Sequence, residues 1–323
     1  MDRLIAMQTF ALVAELSSFS KAAEALQVPN ATVSTRISQL EAHLQVKLLL
    51  RTTRRLSLTE DGAAYLERAQ RLLQDLEELE SRVAGDVATP KGRLRIDVPA
   101  AVGRHVIAPH LPAFFQRYPG ITLDIGSSDR PVDLVTEGVD CVIRGGAVHD
   151  EQLVARKLGD YDVITCASPA YLERHGVPKS PADLQGSSHM AVNFFSAKTG
   201  RVFNFDFEKD GQTLELLMPH HASANDADAQ RALCLQGLGL MQYPLTQETQ
   251  DQLESGALVQ VLQDWKVGSL SLYVMYPRNR HLSARVRVFV DWVVALYSEK
   301  FVALEAAVQR KPAFKQRATG IKR

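Results

Sequence analysis

Apolar side chains recur at helical intervals up to about residue 85, then give way beyond residue 90 to short apolar runs separated by helical stretches. Near the start, "SKAAEALQ" reads as a helix capped by Ser20, "VPN" as a turn, and the chain from Asn30 as a second helix. Ala22, Ala23, Leu26 and Phe19 supply small and apolar contacts for a close crossing. Val33, Ile37 and Leu40 fall at i, i+4 and i+7 and face a core. Thr32, Thr35, Arg36 and Gln39 therefore point elsewhere, with Ser34 and Ser38 at the boundary. In "VKLLLRTTRRLSLTEDG", apolar residues flank a basic tip, the pattern of a β-hairpin wing.

From Thr59 the spacing predicts one long helix to about residue 85, with Leu66, Ala69, Leu73, Leu76 and Val83 in heptad register and Tyr65, Leu72 and Leu79 widening the stripe. Such a stripe packs either on its own domain or on a second copy; no neighbouring segment is left to cover it, which favours self-pairing. "GDVATPKGR" has the Gly and Pro content of a hinge. Beyond it come "LRIDV", a helix over 104–117, "ITLDI", a short helix at 131 and "DCVIR", then a second set from "DVITCAS" onward, closed by a last long helix: an α/β pattern. Residues 306–323 carry Arg310, Lys311, Lys315, Arg317, Lys322 and Arg323 with no acid and read as a disordered basic tail.

Composition narrows the classes. With 46% hydrophobic and 23% charged residues, 323 residues are enough for two or three domains with cores. Lys plus Arg and Asp plus Glu each number 37, so a nucleic-acid partner must be sought in local charge. It is there: from Ser20 to Thr59, Lys21, Arg36, Lys47, Arg51, Arg54 and Arg55 oppose only Glu24 and Glu41, a local charge of plus four. Short hydroxyls, an amide and an Arg on one helix face can hydrogen-bond phosphates and base edges in a major groove, where long acids would be repelled. Together these define a DNA-facing set: Ser20, Lys21, Pro29, Asn30, Thr32, Ser34, Thr35, Arg36 and Gln39, with Arg51, Arg54 and Arg55 on the wing. The start of the chain lacks signal-peptide character, no apolar run suits a membrane span, and Cys141, Cys166 and Cys234 show no CxxC spacing, so the expected setting is cytoplasmic.

The stretch "MQTFALVAELSSFSKAAEALQVPNATVSTRISQLEAHLQVKLLLRTTRRLSLTEDG" resembles the LysR-type transcriptional regulators. The likeness continues through "LPAFFQRYPGITLDI", "GVDCVIRGG" and "LCLQGLGLMQYP", covering about residues 1–300. It departs at Pro29, where Ser or Thr is frequent, and at Gln45 and Leu49, where Gly and Phe are frequent. Pro29 is compatible with a first helical turn but removes a hydroxyl that could hold a phosphate.

The resemblance implies an α+β multidomain chain. A winged helix-turn-helix DNA-binding domain spans 1–60 and a dimerisation linker helix with hinge 61–90. A two-lobe α/β, periplasmic-binding-protein-like effector domain spans 91–305, lobe I about 91–162 and 268–305, lobe II about 163–267. An unidentified small-molecule effector would sit between the lobes, where helix N-termini offer N–H groups to an anion. Candidate contacts are Ala100, Ala101, Arg144, Ser168, Phe194, Ser223 and Asn225. The Ser or Thr that clamps a carboxylate in many members is replaced by Pro99, Ala100 and Ala101. Either the effector is less polar and meets Phe194 and Phe195, or Arg144, Ser223 and Asn225 hold its polar end. Expected partners are a double-stranded promoter site, the effector, a second copy as dimer and further as tetramer, and RNA polymerase. The rival class is a solute receptor whose N-terminal helices serve assembly alone.

Other chemistry finds little support. Neither His220–His221 nor His105–His110 has a Cys or carboxylate at ligand spacing, so no metal or cofactor is expected. Cys234 lies on an apolar helix face, which suits inert packing better than redox sensing. No GxSxG or Walker sequence occurs, and Asp226 and Asp228 suit a helix start, so no enzyme is expected.

Overall fold

A computed structural model of the chain describes residues 1–51, 56–83, 90–130, 132–134, 136–146, 150–186, 188–278 and 282–309. It divides into two compact units, Met1–Thr89 and Pro90–Arg323.

The first unit opens with α1 (Arg3–Leu16), capped by Asp2, whose carboxylate accepts the N–H groups of Leu4 and Ile5. Then follow α2 (Phe19–Ala25) and α3 (Asn30–Leu44). The cap of α2 is Ser18, which accepts from the Lys21 N–H, and not Ser20. The half-buried Phe19 fixes where the helix begins, and Ser20 falls in its first turn. Phe10, Val13, Ala22, Val33, Ile37, Leu40 and Leu48 form the core, each at most 1% exposed. Each large apolar side chain so buried contributes roughly 1.5–3 kcal/mol. Gln45 ends α3 at φ 56°, the left-handed conformation in which glycine is unstrained, which accounts for glycine's frequency at that position in the family. The wing pairs β1 (Leu49–Arg51) antiparallel with β2 (Leu56–Leu58). Its tip, residues 52–55, lies outside the described residues, and with it Arg54 and Arg55.

The long helix α4 (Glu60–Val83) leaves the wing at Thr59, whose hydroxyl accepts the Gly62 N–H and donates to the Lys47 carbonyl. A Cβ at Gly62 would stand 1.9 Å from the Leu48 carbonyl oxygen, so this close approach requires glycine. Tyr65 and Leu66 pack on the domain's own core, Tyr65 edge-on to Phe10 at 5.6 Å, whereas Leu72 is exposed.

In the second unit the strands and helices run β3 (Gly92–Val98), α5 (Ala100–Val102), α6 (Ala108–Arg117), β4 (Ile121–Ser127), β5 (Cys141–Gly145), β6 (Leu153–Ala167), α7 (Pro169–His175), β7 (Ala191–Phe194), β8 (Phe205–Lys209), β9 (Gln212–Leu216), β10 (His220–Ala224), α8 (Ala227–Leu235), β11 (Met241–Pro244), α9 (Gln247–Glu254), β12 (Val259–Val261), β13 (Ser269–Pro277) and α10 (Ala284–Gln309). One π-helical turn, Gly103–Ile107, joins α5 to α6, so the helix expected over 104–117 starts four residues earlier. The short helix expected at 131 begins on a residue outside the described ones, as residue 135 also is; between and after them the chain forms turns, with the Glu137 N–H donating to the Asp133 carbonyl. Residues 306–309, expected in the tail, continue α10, and 310–323 lie outside the described residues.

The main sheet has the order β11–β6–β13–β5–β3–β4, with β12 also on β6. β6 belongs to both halves: Leu153–Asp162 pairs with β13, and Val163–Ala167 pairs with β11 and β12. Lobe I gathers Leu94, Ile96, Phe114, Phe289, Val293 and Tyr297 against the sheet. Lobe II gathers Tyr171, Phe205, Phe207 and Leu240 on one side and Cys166, Cys234 and Tyr243 on the other. The chain thus crosses between lobes at about 162–163 and again before Ser269. Beside that crossing stands Gly159, where an ideal Cβ would lie 2.1 Å from the Phe301 ring. Among the described residues no helix is long and apolar enough to cross a membrane.

Candidate DNA interface and effector cleft

The α3 surface is built by what it buries. Val33, Ile37, Leu40 and Glu41 turn inward, which leaves Asn30, Thr35, Ser38 and Gln39 exposed and Thr32 and Ser34 half-covered. Ser20, Lys21 and Pro29 are exposed beside them, and the Asn30 amide donates to the Ser20 hydroxyl at 3.4 Å, tying α3 to α2. Arg36 is half-buried and donates to the Thr9 hydroxyl of α1 at 3.4 Å, so its guanidinium is partly engaged within the domain. Arg51 lies on the last residue of β1.

Glu41, counted from sequence only as one of two acids, anchors the wing. Its carboxylate is 8% exposed and accepts from Lys47 Nζ at 2.7 Å and from the Leu48 and Leu49 N–H groups at 3.0 and 3.2 Å. Burial pushes its pKa up, but Lys47 and the two amides more than offset this and leave it below the usual value. It follows Leu40 and stands four residues after Ile37, and that position on the buried stripe is the signal in the sequence that it turns inward. α3 carries no acid between Asn30 and Gln39, and its one acid, Glu41, is turned inward.

In the second unit β3, β4 and β5 run parallel, so their C-terminal ends meet at the crossover side of lobe I. That edge presents Pro99–Ala101, Ser127–Arg130 and Arg144–Gly146. Opposite them the ends of the parallel strands β7 and β10 bring Phe194, Ser223 and Asn225 and the start of α8 from lobe II. Phe194 stacks on Phe203 at 6.2 Å. Ser168 does not join this group. β6 enters lobe II running away from the crossover, so its end carries Ser168 to the opposite side, where a Cβ on Gly237 past the end of α8 would lie 3.5 Å from its hydroxyl. Helix N-terminus or not, a residue after this strand cannot reach the cleft.

Arg144 is bonded to Asp97 and donates to the Arg130 carbonyl at 3.0 Å; the pair is largely buried, at 16% and 10% exposure. A Cβ at Gly126 would collide with the Asp97 carboxylate at 2.2 Å, so glycine makes room for it. Asp129 reaches across the cleft to the Ala227 N–H at the start of α8. Burial, then the neighbouring charge of Asp226, push its pKa up to about 6, with Asp228 adding to this and Arg144 and the Ala227 amide opposing it. One Asp129 oxygen and the Ser128 hydroxyl are buried without a partner among the described residues. Sequence reading missed Asp97, Ser128 and Asp129, because nothing local marks which loops the sheet collects at one edge.

A second link between lobes lies nearby. Asp228 of α8 binds Arg104, meets His105 Nε2 at 3.1 Å and accepts from Arg231 at 2.7 Å; His105 Nδ1 stands 3.9 Å from Glu248.

The Asp129 shift makes a pH prediction. A carboxyl with a folded pKa above its unfolded value contributes stability in acid that is lost as pH rises through the folded pKa, here between about 4 and 6. Asp129→Asn should therefore raise the melting temperature at pH 7.5, leave it unchanged at pH 4, and flatten the slope between. Thermal unfolding across that range checks it; an equal effect at both ends would refute the assigned cause.

A helix-turn-helix with a wing, a long helix and a two-lobed α/β body with a cleft define the class of ligand-responsive DNA-binding regulators. The family comparisons place the chain within it. Residues 4–63 match the bacterial regulatory helix-turn-helix proteins of the lysR family, and residues 88–298 match the LysR substrate binding domain. The chain belongs to the LysR family of transcriptional regulators. It is 42% identical over 300 residues to an HTH-type transcriptional repressor of Pseudomonas aeruginosa, covering 93% of each chain. Among solved structures it resembles CrgA, a LysR-type regulator from Neisseria meningitidis, with 33% identity, TM-score 0.57, and 90% of this chain and 98% of that one covered. It also resembles the Vibrio cholerae virulence activator AphB, with 29% identity, TM-score 0.55 and the same coverage. The protein is a DNA-binding regulator controlled by a small-molecule effector.

Proposed function

We propose that α3 lies in the major groove of a promoter site with Thr35, Ser38 and Gln39 at base edges, and that Asn30, Lys21 and the wing arginines Arg51, Arg54 and Arg55 hold phosphates. The observation that carries this reading is the exposed, acid-free face of α3 between Asn30 and Gln39. Two copies pair through the part of α4 past Leu66, where Leu72 is exposed, and a tetramer presents two such pairs to separated half-sites. The effector lies between the lobes, its apolar part on Phe194 and its polar part at Ser128, Arg144, Ser223 and Asn225, and shifts the population between two assemblies. Ala100 and Ala101 offer only shape. Contact with RNA polymerase, a cytoplasmic setting and the absence of any catalytic step complete the reading; relatives are named as regulators.

Footprinting on the DNA upstream of the gene, across a salt series and against competitor DNA, tests this. A discrete palindromic footprint is expected. Arg54→Ala should weaken binding for all sequences alike and lower the slope of log affinity against log salt by about one. An unchanged slope would remove Arg54 from the phosphate contacts.

A further inference from the structure

Among the described residues, the guanidiniums around the interlobe cleft are all committed to acids of the protein itself: Arg144 to Asp97, Arg130 to Glu137 at 3.0 Å, and Arg104 and Arg231 to Asp228. Arg144 therefore offers N–H groups to an effector but no net charge. The N-terminus of α8 is taken as well. Asp226 caps it, accepting the Ala229 N–H at 2.7 Å, and Asp129 accepts the Ala227 N–H from across the cleft. At the start of α5, Pro99, Ala100 and Ala101 add no side-chain donor to the backbone. A carboxylate effector thus meets few groups left over for it.

Acceptors, by contrast, are left over. One oxygen of Asp129 is buried with no partner among the described residues, and so is the hydroxyl of its neighbour Ser128. A buried carboxylate oxygen without a donor costs free energy that a donor on a ligand would offset. The charges that act on Asp129 are two of its own sign, Asp226 and Asp228, against Arg144, which is already paired with Asp97. Burial and then Asp226 raise its pKa, and an ammonium beside it would act in the opposite sense. From lobe II, Phe194 is half-buried and stacked on Phe203, an aromatic surface beside these acids.

We infer that the effector, placed between the lobes as above, is a cationic amine, whose ammonium donates to the free Asp129 oxygen and the Ser128 hydroxyl near Asp226 and whose apolar part lies on Phe194. The assignment rests on that placement and adds the sign of the charge. Asp129 follows β4 in lobe I and Asp226 opens α8 in lobe II, so an ammonium between them replaces repulsion with attraction to both and favours the closed arrangement of the lobes.

Isothermal titration of the full-length protein at pH 8 with methylammonium, butylamine and 2-phenylethylamine tests the sign of the charge, with 2-phenylethanol and 3-phenylpropanoate as neutral and anionic counterparts. Saturable binding of 2-phenylethylamine at one site per chain is expected, at least tenfold tighter than either counterpart. Asp129→Asn should weaken it at least tenfold and Phe194→Ala at least threefold, whereas Glu248→Gln, beside His105, should leave it within twofold. Tighter binding of 3-phenylpropanoate, weakened by Phe194→Ala, would overturn the amine assignment and keep the cleft. Amine binding that neither Asp129→Asn nor Phe194→Ala disturbs would overturn both. Saturable binding by none of the three amines also overturns the assignment.

Discussion

Glu41→Ala is expected to destabilise the winged domain by about 2–5 kcal/mol and to remove specific promoter binding, although Glu41 touches no DNA in the proposed mode. The substitution leaves the Leu48 and Leu49 N–H groups buried without acceptors, at roughly 1–3 kcal/mol each. Lys47 loses its partner as well. Because Leu48 and Leu49 lead into β1, the wing loses its fixed position relative to α3 while α3 keeps its own surface. Glu41→Gln retains an acceptor and should cost less. Denaturant unfolding, with footprints at a temperature where the variant is folded, measures both effects; normal wing contacts in a folded Glu41→Ala would contradict the anchor role.

The second large effect is expected at the cleft. Arg144→Ala leaves the Asp97 carboxylate buried without its cation, and breaking such a pair costs about 3–5 kcal/mol. Effector response should disappear with it. The two consequences separate in the double variant Arg144→Met with Asp97→Asn, which removes both charges and keeps the volume: stability should return to within about 1–2 kcal/mol of the parent while the response stays absent. Unfolding curves combined with effector-dependent footprints read the two quantities. A response restored along with stability would show that Arg144 serves the fold alone.

What the chain's pattern could reveal depended on the range of the interactions involved. Helix α3 was legible because Val33, Ile37 and Leu40 meet the core through a helical period that lies wholly within one element. The boundary of α2 was misplaced by two residues because "SSFS" offers two serines able to cap, and the choice rests on where Phe19 packs. The cleft was only half legible. Loops after β3, β5, β7 and β10 lie together at the cleft as the sequence grouped them, yet Ser168 was grouped with them and lies elsewhere, and Asp129 was not grouped and lies there. Both errors come from strand direction: whether a loop reaches the cleft depends on which way its strand runs past the crossover, and that is decided by pairing partners far along the chain. Glu41 shows the complementary case, in which an acid on the apolar stripe is satisfied by backbone amides that a helical pattern does not display.

The shared strand β6 has a consequence for synthesis. As the chain leaves the ribosome, Leu153–Ala167 emerges with neither of its long-range neighbours available: Met241 pairs with Cys166, and Ser269 with Asp162, from segments made many seconds later. Until then the most apolar part of the strand, Ile164 to Ala167, has an open edge on each side. Lobe II has all its strands once β12 is made, whereas lobe I cannot close its sheet until β13 pairs with β5 and with Leu153–Asp162, so the two-lobed body finishes late and through non-local pairing, while the winged domain at the N-terminus is already complete. A nascent chain stalled before residue 241, short of β11, β12 and β13, should present a protease-resistant winged domain followed by a digestible remainder.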